Sequence, residues 1–289
     1  MKSRARLFFV LGLMICLSGS AVAQPPPGPP PSSPALPSPT TSPEMGMVTG
    51  TFRVVAISRS GQEKSDALRA AKVMAQRDLL EIVQGLQLWG ETTVQKASLD
   101  NDVIRTKVEG FLQGAQECGS DYNPTTGTGT ICLELPARGG RGLTGNLFGM
   151  EEAREKLREI VPPAPPFVPV TSPPPPAPSD GLIVDTTGHT FKPGLVNRIL
   201  TLKGEVLYDP TKIAPSILVE RGSGDYTNDM GKARAILDDR GAKNPLVITA
   251  AAVSRLTDVQ VSEADANAIF AANQKTNFLE GAKVVFVLR

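Results

Sequence analysis

Twenty of the 26 prolines stand in two short tracts, ten between Pro25 and Pro43 and ten between Pro162 and Pro178. This distribution limits what the chain can fold into more than any other feature. Segments so rich in Pro and Ser favour extended polyproline II and lack the apolar side chains for a core. They read as spacers, and they divide the 289 residues into a spacer over 24–47, a globular region over 48–161, a linker over 162–179 and a second globular region over 180–289. Each globular region has about 110 residues, enough for a core of its own.

Lys2, Arg4 and Arg6 precede an apolar run from Leu7 to Leu17, and Ala21-Val22-Ala23 supplies the small residues of a cleavage site before Gln24. Residues 1–23 therefore read as a cleaved Sec-type signal peptide, and the expected location is the periplasm or an outer-membrane-associated position. The run is too short for a spanning helix, and bulky Ile15 before Cys16 argues against a lipid-modified cysteine. No transmembrane helix is expected after cleavage.

The leader takes with it three of the 30 basic residues and none of the 29 acidic ones, leaving a formal net charge of −2. A balance so close to neutral, with no long basic run, argues against nucleic acid as a partner. Two cysteines then remain, Cys118 and Cys132, flanking the turn-rich segment SDYNPTTGTGTI. In an exported chain an even pair reads as a disulfide. Closing a loop of about 15 residues would contribute roughly 3 kcal/mol. A metal site would need nearby His or further Cys, and a redox pair would need Cys-x-x-Cys spacing.

In the first region TFRVVAIS is a β-rich run leading into a helix over 65–85. Ser65 is its expected N-cap, Gly85 its expected left-handed terminator, and Ala67, Ala71, Met74, Ala75, Leu79 and Ile82 its expected buried face. Small residues on that face let a helix approach a sheet closely. Leu86 to Leu99 leans towards strand. Asn101 or Asp102 caps a second helix with Val103, Ile104, Val108, Phe111 and Leu112 on one face, and 113–118 with 130–135 forms a hairpin pinned by the cysteines. Glu151 to Ile160 reads as a charged closing helix.

The second region alternates likewise. GLIVDTTG, FKPGLVNRIL, GEVLYDP and LVITAAAV read as strands or the approach to them, with a helix over 229–240 ending at Gly241. Ser262 to Asp265 fits a capping pattern at the start of a helix bearing Ala264, Ala268, Ile269 and Ala272, and AKVVFVL is apolar enough to be a central strand. The expected class is α+β, two domains of small sheets packed with helices.

Groups for chemistry are sparse. Gly140, Gly142 and Gly145 match G-x-G-x-x-G, but the helix after them is short and runs into the proline linker, so a loop is the better account than a dinucleotide site. His189, the single histidine, stands in a polar turn and has no second histidine to share a metal. Asp180 and Asp185, flanking a strand, and Glu220, Asp225 and Asp229, around the segment GSGDYTND read as flexible, are the carboxylates open to a hydrolase, and 225–229 is the place for a weak calcium site. No catalytic residue, cofactor or metal is expected. Trp89 and Tyr226 are the aromatic candidates for ligand or partner contact, Trp89 having also the reading of a core plug.

The β-rich start, the helix SDALRAAKVMAQRDLLEIVQGLQL and the Thr-rich segment after it together resemble the amino-terminal domain of the flagellar assembly protein FlgT and of related small envelope lipoproteins of Gram-negative bacteria. Arg77-Asp78-Leu79-Leu80 and the stretch Ile82 to Leu88 carry the likeness, which covers about residues 50–120. The second region is similar to carboxy-terminal regions of uncharacterised envelope proteins. The resemblance implies a non-catalytic structural or assembly role in the envelope, with flagellar basal-body or other envelope proteins, or further copies of the chain, as partners. The alternative is a periplasmic binding module for cell-wall glycan or another envelope ligand, with a groove lined by Trp89 or Tyr226.

Overall fold

The computed structural model describes residues 36–169 and 179–289, and the leader and the first half of the first spacer lie outside them. The fold is α+β, as expected. Residues 36–289 form one compact unit, in which both regions share a continuous apolar core.

The end of the first proline tract is structured. Thr40 exchanges hydrogen bonds with Arg53, and Pro43–Thr49 forms helix α1, with Ser42 as N-cap and proline in its first turn. Strand β1 (Thr51–Ile57) follows and leads to the long helix α2 (Lys64–Gly85). Strand β2 (Gln87–Trp89) and strand β3 (Thr92–Thr93) make a small ribbon, and helices α3 (Val94–Asp100) and α4 (Asp102–Gln113) come next. The hairpin of β4 (Gln116–Asn123) and β5 (Thr128–Pro136) completes an antiparallel sheet of order β1-β5-β4. Helices α5 (Leu143–Phe148) and α6 (Glu151–Ile160) end the first half.

Helix α2 lies on β1 and β5, and its buried line is Ala67, Ala71, Ala75, Leu79 and Val83. The approach is as close as the alanines require. A side chain at Gly129 of β5 would meet the α2 backbone at Ala67 within 2.7 Å. Three details differ from expectation. Met74 is exposed and Val83 takes its place, because the contact follows a strict fourth-residue line. Glu63, and not Ser65, is the N-cap, since Gly61 and Gln62 are held by backbone bonds to Thr126 and Gly127 in the hairpin turn. Gly85 closes the helix without a left-handed conformation, and extended Leu86 caps it. The stretch 86–99 is also a strand only at its start: Thr93 accepts from the N–H of Lys96 and turns Val94 onwards into α3.

Cys118 and Cys132 form a disulfide between β4 and β5, with Cα atoms 5.1 Å apart. It lies at the bulge where Glu117 faces Leu133 and Gly119 faces Cys132.

The second half comprises β6 (Leu182–Asp185), β7 (Arg198–Thr201), β8 (Val206–Tyr208), helix α7 (Pro215–Arg221), β9 (Asp225–Thr227), helix α8 (Met230–Asp239), β10 (Leu246–Thr249), β11 (Ala252–Ser254), β12 (Asp258–Val261), helix α9 (Glu263–Thr276) and β13 (Val284–Val287). Strands β10-β6-β13-β9 make a parallel sheet, and β11-β12-β7-β8 a mixed one. As the apolar run predicts, β13 is central and buried on both faces: Val285 and Val287 pack with Ile183 and α8, while Val284 and Phe286 face the shared core. Ser262 caps α9 by accepting from the N–H of Asp265, although Ala266, Ile269 and Ala272 are the buried face and Ala264 is exposed. The GSGDYTND segment is not a loop at its centre. Asp225–Thr227 is a buried edge strand paired with β13.

The second proline tract begins as part of the fold. Pro162 accepts a bond from Arg198, and residues 165–167 run beside β8, where Val206 and Phe167 exchange backbone bonds with Pro165 and Val206. Phe167 is buried. Up to that point the tract is a surface strap between regions that touch, rather than a spacer holding them apart.

Candidate functional site

The two halves meet at Trp89. Strand β2 bonds to the segment before β7, with the N–H groups of Leu195 and Val196 donating to the carbonyls of Gln87 and Leu88, 3.0 and 2.9 Å. The Trp89 indole N–H donates to Asp258 Oδ1 at 3.0 Å, a bond between residues 169 apart in sequence. Arg198 grips the same carboxylate, Nη2 to Oδ2 at 2.5 Å with Nε 3.2 Å from each oxygen, in a pair that is almost wholly buried. The guanidinium groups of Arg198 and Arg255 lie 5.0 and 5.1 Å from the Trp89 ring. Every strong group here has its partner, so the charge is tolerated by complete pairing.

The turn that brings Asp258 to Trp89 is held in a strained form. Arg255 and Leu256 both have positive φ, 50° and 59°, which costs L-residues about 1–2 kcal/mol each. The seam fixes them there. Arg255 lies over Trp89, Leu256 accepts from the N–H of Lys192, and Thr257 accepts from the N–H of Gly90 and from the Asn197 side chain.

A second buried carboxylate, Asp225, ties β9 to both halves. It pairs with Arg240 and, at 3.5 Å, with Arg138, whose guanidinium also donates to the carbonyls of Met47 and Gly224. Burial holds the Arg240 pKa below its ordinary value, while the Asp225 charge opposes that shift and Arg138 adds to it. Tyr226 is buried beneath, donating to the Gly194 carbonyl at 2.8 Å and touching Asn197 Oδ1. Burial raises the phenol pKa of both Tyr226 and Tyr208.

The sequence candidates are thus dispersed and engaged. Trp89 and Tyr226 are buried, 5% and 1% exposed, and line no groove; both are interior residues of the seam. Asp225 is an ion-paired strand residue, and Asp229 caps α8 by accepting from the N–H of Lys232 at 2.7 Å. His189 lies 3.0 Å from the Ala250 carbonyl. The glycine motif is an elbow folded on itself: a side chain at Gly142 or Gly145 would come within 2.4 Å of the carbonyls of residues 138–140, which leaves no cradle for phosphate. Among the described residues no group of three or more His, Cys, Asp or Glu is placed to hold a metal ion, and no helix is long and apolar enough to cross a membrane.

Beside the seam lies a cleft of about 350 Å³ that sequence reading did not find. Its apolar surface comes from Phe148, Leu157, Val161, Val196, Pro210 and Leu218, with Pro162 and Pro163 of the strap at one side. Asp209 reaches it but is occupied in capping the turn over 210–212, accepting from the N–H and hydroxyl of Thr211 at 2.9 and 2.5 Å. Three arginines reach it: Arg198 of the seam, and Arg154 and Arg158 of α6. Glu151 pairs with both α6 arginines, and their hydrogen bonds hold its pKa below the ordinary 4.5. A second concavity, about 200 Å³, is lined by Phe167 of the strap and Phe270, which meet edge to face, and includes Lys212, whose pKa is lowered by burial.

Comparison with known families adds one finding. Residues 181–289 match the family described as the second domain of Treponema pallidum Tp0624. The matched span starts at the first strand of the second half and includes the parallel sheet, the mixed sheet and both seam carboxylates. Comparison with curated proteins gives no match.

Proposed function

We propose that the chain is an exported, non-catalytic protein of the cell envelope that works by contact, in a structural or assembly role. The observation that carries this reading is the use made of its buried charge. Asp258 pairs with Arg198 and Asp225 with Arg240 inside the second half, while Trp89 and Arg138 reach the same two carboxylates from the first, so these groups join the halves of the molecule and offer no free acid or base. The leader-like residues 1–23, the disulfide and the resemblance of residues 50–120 to the FlgT amino-terminal domain support the envelope setting and make a flagellar basal-body partner the first to seek.

In-cell cross-linking of the tagged protein, envelope fractionation and mass spectrometry test this. Recovery with basal-body or outer-membrane complex components is the expected outcome. Recovery alone in the soluble periplasm, or in the cytoplasm, overturns it. The second reading, a module that binds an envelope ligand, is favoured by the apolar cleft. A glycan is its least suitable occupant, since Trp89 and Tyr226 are interior and Phe148 is the only aromatic residue among those lining the cleft.

A further inference from the structure

We propose that the cleft between α6 and the turn after β8 binds a single free straight-chain carboxylate, its acyl chain on the apolar walls and its carboxylate on Arg158. A volume of about 350 Å³ is within the range of small-molecule sites. The walls also select against a peptide. An extended peptide would have to pair its carbonyls with backbone N–H groups, and the apolar walls have few to give. Pro162, Pro163 and Pro210 lack the group, and the N–H groups of Val161, Val196, Thr211 and Leu218 already donate to Leu157, Leu88, Asp209 and Ala214. A methylene chain makes no such demand.

Charge complementarity supplies the head-group contact. Arg198 is consumed by Asp258 and Pro162, and Arg154 by Glu151 and the Phe148 carbonyl. Arg158 is half exposed and held by Glu151 alone, at 3.0 Å. An ion pair between two half-exposed groups contributes little, so a ligand carboxylate can take it over at small cost. Helix α6 carries four glutamates against three basic residues, which disfavours approach of the same face to an anionic bilayer and favours the monomeric amphiphile. This assignment does not depend on the assembly role and fails separately from it.

The test is titration of the full-length protein with decanoate, followed by calorimetry and by emission of the single tryptophan, Trp89, which stacks on the cleft residue Arg198. Saturable one-to-one binding is expected. R158E should weaken it at least tenfold while leaving decanol binding unchanged, and E151Q, which frees Arg158, should strengthen it several-fold. P163W, on an exposed strap position, should block both ligands without shifting the unfolding midpoint. Absence of saturable decanoate binding, equal binding by R158E, or sedimentation with anionic phospholipid vesicles in place of monomer binding overturns the proposal. So does cleft binding, sensitive to P163W, of a Leu- and Glu-containing peptide when decanoate does not bind.

Discussion

Asp258 and Asp225 are both buried carboxylates of the second half that reach into the first, and they are held differently. Asp258 lies between a guanidinium fork and an indole N–H, with both oxygens bonded. Asp225 has two arginines beside it, one at 3.5 Å, and its Oδ2 makes no well-aligned hydrogen bond although Arg240 is in contact with it. The difference shows which contact fixes the join. Around Asp258 charge, ring and strained turn depend on one another; around Asp225 each arginine keeps backbone partners of its own, Met47 and Gly224 for Arg138 and Ala282 for Arg240.

The comparison breaks first at Asp258. Asp258→Ala leaves the buried Arg198 charge with only the Pro162 carbonyl and should lower the unfolding free energy by about 3–5 kcal/mol, measured by urea titration. Replacing Cys118 and Cys132 together by Ala should cost about 3 kcal/mol by the same measurement, from a loop closed wholly within the first half. Asp225→Ala should cost less than Asp258→Ala, about 1–3 kcal/mol, because its two arginines are less deeply buried than Arg198 and hold three carbonyls between them. Equal losses for the two aspartates would remove the distinction between the joins.

The smallest effect concerns pH. Partial burial raises the pKa of Asp180, but the N–H groups of Lys243 and Asn244, at 2.9 and 2.8 Å, outweigh it and leave the folded value below the ordinary 3.8. The contribution is therefore complete above about pH 4 and lost as pH falls through the folded value. The stability difference between wild type and Asp180→Ala, under about 1 kcal/mol for so exposed a group, should be constant at neutral pH and vanish in acid.

Much of this architecture is legible in local signals. The fourth-residue alanine line predicts α2 on its sheet, Asn101, Asp229 and Ser262 cap the helices they precede, and the unbroken apolar run 284–287 predicts a central strand. Non-local contacts decided the rest. The start of α2 is set by the hairpin turn at 126–127, through bonds between residues 65 apart (61 to 126, 62 to 127), and the turn at Arg255-Leu256 carries no Gly or Asn to announce it. Strand Asp225–Thr227 hides between glycines, and its apolar partner is 60 residues later in β13. The cleft was beyond reach for the same reason. Its lining comes from four separate stretches, and the prolines that wall it read locally as spacer.

The central claim is that both halves form one cooperative body joined at Trp89, with the buried charges serving that join. Urea unfolding of the full-length protein, followed at once by Trp89 fluorescence and by far-ultraviolet circular dichroism, tests it most directly. The account predicts coincident transitions, with both midpoints falling together in Asp258→Ala. A Trp89 transition at lower urea, with most secondary structure intact, would contradict it and return the molecule to two domains on a string.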